Sequence, residues 1–132
     1  MFDHLKKYLH NIFIPISWSL IILILLSLPG SMLPNESAFK IANLDKIVHV
    51  SLFGGFVFLW SLYFCAKNIS QKKLLKIFFY IFIIGSVYGT AMEFVQKYFI
   101  PSRDFELGDI LADIIGASIA YGISNICLLT AE

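Results

Sequence analysis

The sequence predicts an all-α membrane protein with four transmembrane helices. Hydrophobic residues make up 58% of the 132 residues and charged residues only 14%, whereas a soluble domain is about half apolar and about a quarter charged. So few polar side chains could not cover a hydrophobic core of this size in water. Four apolar stretches, each near the length of about 20 residues that a bilayer requires, account for most of the chain. We therefore expect one transmembrane domain over residues 1–132.

The first two predicted spans cover residues 12–29 and 47–66. The first follows two lysines, as a signal peptide would, but its apolar stretch is too long for a usual signal sequence and no small-residue cleavage site follows. We therefore expect it to stay as a membrane helix. The second starts just after Asn43 and Asp45, and either side chain is suited to cap a helix N-terminus.

The third and fourth predicted spans cover residues 74–99 and 109–130. Pro101 is expected to end the third helix, because proline follows helix ends closely. Each span carries small residues four positions apart, which allow a neighbouring helix to approach closely. These packing positions are Gly85 and Gly89 in the third span and Gly108, Ala112, Gly116 and Ala120 in the fourth. The longer row predicts that the fourth helix is central.

The distribution of basic residues predicts that both termini face the cytoplasm, since short cytoplasmic loops are enriched in lysine and arginine. The face that holds the termini has six lysines: Lys6, Lys7, Lys67, Lys72, Lys73 and Lys76. The opposite face has four basic residues: Lys40, Lys46, Lys97 and Arg103. The net charge is only +1, too small to attract the negatively charged backbone of nucleic acid, so we expect no nucleic-acid partner.

Polar side chains converge at the predicted outer ends of the second, third and fourth spans. Polar groups are costly in a membrane and usually have a function there, so we interpret them as one candidate site. Its members are Asp45, Lys46, His49, Tyr88, Glu93, Gln96, Arg103, Asp109 and Asp113.

Two parts of this cluster also have simpler interpretations. Asp45 and His49 share a helical face. In one interpretation, Asp45 or Asn43 caps the helix and His49 makes a structural hydrogen bond to another partner. In the other, Asp45 and His49 form a carboxylate–imidazole pair for proton transfer or metal binding. Glu93 lies about two turns inside its helix, on the face of the small residues. It forms either a structural salt bridge with Lys97 or Lys46, or part of a functional site.

The loop and the fourth helix contribute the remaining charges. Arg103 is the only arginine in the chain, and its planar guanidinium is suited to grip phosphate or carboxylate. It could instead pair with Asp104 or Asp109, or attract lipid headgroups. Asp109 is explained as the N-cap of the fourth helix, whereas Asp113, one turn further, is not.

Three motifs follow one another over roughly residues 45–117. They are Asp45-Lys46-x-x-His49, then Tyr88-Gly89-x-x-x-Glu93-x-x-Gln96, then Pro101-Ser102-Arg103 with Asp109-x-x-x-Asp113-x-x-Gly116-Ala117. Their order and spacing resemble the VanZ-like family of membrane proteins, to which the first helix is similar only as a hydrophobic span. Two positions differ from the family pattern: Ser102 stands where glycine is usual, and Asp113 where asparagine is frequent.

The resemblance implies a bacterial inner-membrane protein of the cell envelope. The namesake of the family is linked to resistance to the glycopeptide teicoplanin, so lowered susceptibility to teicoplanin is the expected phenotype. The partners expected on this basis are membrane lipids and a lipid-linked envelope precursor or a glycopeptide. The rows of small residues could also pack against a second copy of the chain, so an oligomer is a further possibility.

Four functional hypotheses remain open. In the first, a non-enzymatic envelope protein uses Arg103 and Lys46 to hold an anionic ligand in the outer leaflet. In the second, a small intramembrane enzyme acts on an envelope lipid or an isoprenoid phosphate, with Glu93 or His49 as general base. The third is a proton-coupled carrier, and the fourth is a salt-bridge network that only joins helices.

The sequence contains no dense metal motif, and it does not identify a cofactor. A divalent metal would suit the enzymatic hypothesis. Its candidate ligands are His49, Glu93, Asp109 and Asp113. Such a carboxylate-rich set with one imidazole favours Mg²⁺ or Mn²⁺, with Zn²⁺ as a further option.

Overall fold

The computed structural model describes residues 7–33 and 43–129, with side chains described as far as residue 126. Within these ranges the chain is helical and has no strand, which confirms the predicted all-α class. Four long α-helices follow one another: α1 (Phe13–Leu26), α2 (Leu44–Cys65), α3 (Gln71–Phe99) and α4 (Leu107–Leu129). A short 3₁₀ helix (Gly30–Met32) follows α1.

Three of these helices, α2, α3 and α4, are long and apolar enough to cross a bilayer. The helix α1 is apolar but has only 14 residues. At 1.5 Å per residue it measures about 21 Å, against about 30 Å for the hydrocarbon core of a membrane. The span predicted over residues 12–29 thus contains a shorter helix, because a turn, Pro29 and the 3₁₀ helix follow Leu26.

The turn after α3 has a conformation that its sequence explains. The helix ends at Phe99, and Ile100 is extended (φ −106°, ψ 121°) because a residue before proline is pushed out of the helical region. Ser102 then has φ 60°, in the left-handed region that favours glycine. This is the position where the VanZ-like motif usually carries glycine, so the backbone of the turn accounts for that preference.

The cap predicted for α4 is wrong, and of the two alternatives predicted for α2, Asn43 occupies the N-cap position. The helix α4 begins at Leu107, two residues earlier than expected, so Asp109 lies in its first turn and is not the N-cap. Asn43 does precede α2, but it has φ 57° and its side chain makes no capping hydrogen bond. Asp45 lies in the first turn of α2. In those places the two aspartates favour their helices through the positive end of the helix dipole.

The helix α4 packs against both α2 and α3, and its contact with α2 is the most extensive in the described part of the chain. At Gly116 a Cβ would collide with the backbone carbonyl of Val50, and at Gly54 a Cβ would lie 3.2 Å from the carbonyl oxygen of Gly116. The backbones of α2 and α4 therefore touch directly. Below the polar end, the core is filled by fully buried side chains of Ile22, Phe53, Val57 and Phe78.

The helix α1 is attached to the other helices through its own and their backbone carbonyls. The indole nitrogen of Trp18 donates to the carbonyl of Leu52 at 2.8 Å. The hydroxyl of Tyr88 donates to the carbonyl of Ser19, also at 2.8 Å. These bonds join α1 to α2 and α3 at about mid-height.

Candidate functional site

The polar cluster forms where the first turns of α2 and α4 meet the last two turns of α3. Five of its side chains are buried: His49, Glu93, Gln96, Asp109 and Asp113. The structure brings together eight of the nine predicted residues. The exception is Tyr88, whose hydroxyl is bound to α1 and whose ring packs edge-on against Phe53 and Phe56.

His49 connects α2 to two carboxylates on α4. Its Nδ1 lies 2.7 Å from Oδ1 of Asp113, and its Nε2 lies 3.7 Å from Oδ2 of Asp109. Of the two interpretations of Asp45 and His49, the pair on one helix is not formed among the described residues, where His49 contacts Asp113 and Asp45 contacts Lys46. When Asp113 is ionised it can only accept a hydrogen bond, so Nδ1 then carries the proton and Nε2 of a neutral ring keeps its lone pair.

Asp113 occupies space that a glycine on α3 leaves open. The side chain of Asp113 is fully buried. A Cβ added to Gly89 would lie 2.5 Å from Oδ2 and 2.8 Å from Cβ of Asp113. Within the described residues, that Oδ2 atom has no hydrogen-bond partner. The absence of a side chain at Gly89 is thus what admits the carboxylate that orients His49.

Glu93 is fully buried, and only one of its two carboxylate oxygens has a hydrogen-bond partner among the described residues. Its Oε2 accepts the backbone N–H of Glu106 at 3.2 Å, which links α3 to the start of α4. Its Oε1 has no partner among the described residues. The salt bridge considered for Glu93 does not form there: Lys46 binds other carboxylates, and the ammonium of Lys97 lies over the ring of Tyr98.

Lys46 is surrounded by carboxylates of the protein itself. Its Nζ lies 2.7 Å from Oδ2 of Asp45 and 2.5 Å from Oδ1 of Asp109, and it also contacts Oε2 of Glu106. Its aliphatic stem passes over Gly108, where a Cβ would lie 2.9 Å from Cε of Lys46. With three internal partners, this ammonium is engaged in joining α2 to α4.

Arg103 and Gln96 hold the chain that follows α1. Nε of Arg103 donates to the carbonyl of Leu28 at 3.2 Å, and Nε2 of Gln96 donates to the carbonyl of Leu26 at 2.9 Å. In residues 7–33 and 43–126, no carboxylate forms an ion pair with Arg103, so the alternative of a pair with Asp104 or Asp109 is wrong there. The guanidinium is therefore available to a ligand.

Two adjoining cavities open at this end of the helices. The first is polar and measures about 300 Å³. Its polar lining includes Asp45, His49, Gln96, Arg103, Asp104, Glu106 and Asp109. The second is apolar, about 190 Å³, and lies between α1 and α2 against leucines such as Leu25, Leu26 and Leu52. Four residues line both cavities: Leu33, Asp45, His49 and Arg103.

Two groups of side chains have the spacing of metal ligands. His49, Glu93 and Asp109, all buried, each offer one ligand atom within 4.8 Å of the others. Asp45, Glu106 and Asp109 form a second group, but Lys46 already contacts all three. Asp113, a predicted candidate ligand, belongs to neither group and instead binds the far nitrogen of His49.

Sequence reasoning missed Glu106 as a member of the site. Its backbone N–H binds Glu93 and its carboxylate binds Lys46. The available signal was its position immediately before α4, three residues ahead of Asp109. The carbonyls of Leu26 and Leu28 were also missed, and no side-chain pattern could have revealed them because every residue carries a carbonyl.

The fold and site define a small all-α protein with three helices apolar enough to cross a membrane and a largely buried carboxylate–histidine–lysine cluster at one end of them. A family model described as VanZ/LLP1 matches residues 4–128. The chain therefore belongs to the VanZ/LLP1 family, which confirms the resemblance seen in its motifs. Searches of curated proteins and of solved structures each found no match.

Proposed function

We propose that this protein is a bacterial inner-membrane protein that binds an anionic, lipid-linked molecule of the cell envelope and thereby lowers susceptibility to teicoplanin. Membership in the VanZ/LLP1 family supports an envelope role. The three helices that are long and apolar enough to cross a bilayer support the membrane location. The four lysines between the end of α2 and the start of α3 (Lys67, Lys72, Lys73 and Lys76) favour a cytoplasmic position for that end of the helices, and the polar cluster at their opposite ends then faces the outer leaflet.

The observation that carries this proposal is the junction of the polar and the apolar cavity. An amphiphilic ligand needs a site for its headgroup and an adjacent site for its hydrocarbon chain. The polar cavity supplies the first and the cavity between α1 and α2 supplies the second. Arg103 and His49 line both, so they lie where headgroup and chain would meet.

Arg103 is the residue best placed to bind the anionic group. Among the described residues it has no carboxylate partner, and its Nε binding to Leu28 leaves the two terminal nitrogens of the fork for a ligand. A guanidinium fork matches phosphate oxygens in pairs. Lys46 was expected to share this role, but its three carboxylate contacts make it a structural cation instead.

The test is the susceptibility of a sensitive Gram-positive host to teicoplanin and to vancomycin. The wild type, Arg103→Gln, Lys97→Gln and an empty vector are compared at matched membrane levels. Lys97 is the control, because it is an exposed cation near the same end of α3 and lies outside both cavities. We expect a shift for teicoplanin that Arg103→Gln removes and Lys97→Gln keeps.

A well-inserted wild type that leaves both susceptibilities unchanged would contradict the phenotype. A shift that survives Arg103→Gln would contradict the anion-binding role of Arg103. The two failures are therefore separable: the first concerns the biological outcome and the second concerns the site.

A second candidate function is hydrolysis of an envelope lipid phosphate or isoprenoid phosphate. The specific observation that favours it is the 2.7 Å contact of Asp113 with His49, because an oriented imidazole beside a cavity can act as a general base. The purified protein in liposomes that contain a polyprenyl phosphate tests this reaction. Release of inorganic phosphate that His49→Gln abolishes would support the enzyme, and the absence of release from the wild type would leave binding alone.

A further inference from the structure

We propose that His49, Glu93 and Asp109 form a binding site for one divalent transition-metal ion, Mn²⁺ or Zn²⁺, between α2, α3 and α4. The ligands are Nε2 of His49, Oδ2 of Asp109 and a carboxylate oxygen of Glu93. One imidazole with two carboxylates combines the donor preferences of these two ions. This site does not depend on the proposed envelope ligand.

The spacing of the three side chains fits a single ion. Ligands about 2.1 Å from an ion at tetrahedral angles lie about 3.4 Å from one another. Nε2 of His49 and Oδ2 of Asp109 lie 3.7 Å apart, and one potential ligand atom from each of the three residues lies within 4.8 Å of the other two. Small side-chain movements are therefore enough to close this group around an ion.

Glu93 supplies a second and independent observation. Its side chain has no exposed surface, and Oε1 has no hydrogen-bond partner among the described residues. A buried carboxylate oxygen without a partner is costly. No lysine or arginine in the described ranges pairs with Glu93, and one of its two carboxylate oxygens lies within 4.8 Å of ligand atoms of His49 and Asp109. A cation bound by this carboxylate would offset the cost of its burial.

Hydrogen-bond partners of His49 and Asp109 orient these two side chains as ligands. Asp113 binds Nδ1 of His49 and so directs the lone pair of Nε2 toward Asp109. This is the carboxylate–histidine arrangement that commonly supports metal sites. Lys46 binds Oδ1 of Asp109, which leaves Oδ2 for the ion. The ammonium of Lys46 occupies the neighbouring group of carboxylates, those of Asp45, Glu106 and Asp109. We therefore propose one bound ion and not two.

The charge of the cluster favours a cation. Five carboxylates surround the site: Asp45, Glu93, Glu106, Asp109 and Asp113. Among the described residues, Lys46 contacts Asp45, Glu106 and Asp109, and Arg103 is bound to a carbonyl. No lysine or arginine there contacts Glu93 or Asp113, and a divalent ion would offset the cost of placing these carboxylates between apolar helices. His49 and Asp109 also line the polar cavity, which leaves an open coordination position for an anionic ligand.

The test uses the purified full-length protein in detergent, stripped of metal with a chelator and titrated with Mn²⁺. The electron paramagnetic resonance signal of free Mn²⁺ falls as the ion is bound, which gives stoichiometry and affinity. We expect one saturable site in the wild type, displaced by Zn²⁺. Glu93→Gln and His49→Gln should remove it, and Asp113→Asn should weaken it about 10- to 100-fold, as loss of a residue that orients a ligand does.

Asp104→Asn is the matched control, because Asp104 is an exposed carboxylate that lines the same cavity but lies outside the group of ligands. It should bind Mn²⁺ like the wild type. Helix content and elution volume show whether each variant is folded, and His49→Gln serves as the test if Glu93→Gln is not. Absence of saturable binding, or binding that both ligand variants retain, would overturn the proposal. Equal losses in Asp104→Asn would assign the binding to general surface charge and overturn it as well.

Discussion

Oδ1 of Asp113 lies 2.7 Å from Nδ1 of His49, and this contact joins the interior of α4 to the interior of α2. The two residues are 64 positions apart in sequence, and both side chains are almost wholly buried. The aspartate stands where the VanZ-like motif frequently has asparagine. An asparagine oxygen can also accept a hydrogen bond from Nδ1, so the geometry tolerates both residues while the charge differs.

We expect Asp113→Asn to be more stable than Asp113→Ala. The asparagine keeps an acceptor for His49, whereas alanine leaves a buried nitrogen without a partner at a cost of about 1–3 kcal/mol. Unfolding of the purified protein by SDS in mixed micelles measures the difference. Equal stabilities of the two variants would show that the hydrogen bond to His49 contributes nothing to folding.

Gly89→Ala is expected to destabilise the protein, because the new Cβ would lie 2.5 Å from Oδ2 of Asp113. Overpacking of this kind costs about 1–3 kcal/mol. Gly122→Ala is the matched control, since nothing lies within 4 Å of a Cβ there. The control should be neutral or more stable by up to about 1 kcal/mol, because alanine favours a helix over glycine. Similar unfolding midpoints for the two variants would refute the close packing at Gly89.

Lys46→Met is expected to destabilise the joint between α2 and α4. It leaves three carboxylates, those of Asp45, Glu106 and Asp109, without their shared ammonium. Because the cluster is only partly buried, we expect a loss of about 1–3 kcal/mol. Lys97→Met removes an exposed lysine that lies over aromatic rings and should change stability much less. If both variants unfold alike, the carboxylate contacts of Lys46 are not stabilising.

Ser102→Gly is expected to stabilise the protein. Ser102 has φ 60°, a conformation that costs a residue with a side chain about 1–2 kcal/mol and that glycine adopts freely. Part of this gain is lost because glycine is more flexible in the unfolded chain, so we expect a net gain below about 1 kcal/mol. Thermal unfolding in detergent measures it, with Ser102→Val as the contrasting variant that should lose stability. A lower midpoint for Ser102→Gly would contradict the left-handed turn.

The sequence predicted the class of fold and the position of the polar cluster well. Long apolar stretches and Pro101 placed the helices to within a few residues, because both signals are local. The pairing of charges was harder to predict. Asp45 and His49 share a helical face, yet His49 turns to Asp113 on α4. Which face of one helix meets another depends on packing across the whole bundle, which sequence spacing along one helix does not contain.

Tyr88 illustrates the same limit from the opposite direction. It belongs to the motif that contains Glu93, and motif membership suggested a shared site. Its hydroxyl instead binds the carbonyl of Ser19 on α1. The acceptor is a backbone oxygen. Every residue carries one, so a pattern of side chains cannot predict which of them is used.

The attachment of the segment after α1 has a consequence for how this protein can evolve. Gln96 and Arg103 bind the carbonyls of Leu26 and Leu28, and the N–H of Gly30 donates to the carbonyl of Pro101 at 3.1 Å. In each of these three hydrogen bonds, the segment contributes a main-chain atom and no side-chain atom. Ser27 and Leu28, which are only partly buried, can therefore change while the anchoring is preserved, and Gly30, whose Cβ would collide with the carbonyl of Ser102, is the position least free to change. Substitutions should consequently be neutral more often at Ser27 and Leu28 than at Gln96 or Arg103, whereas Ile22 and Leu26 stay constrained by their burial in the core.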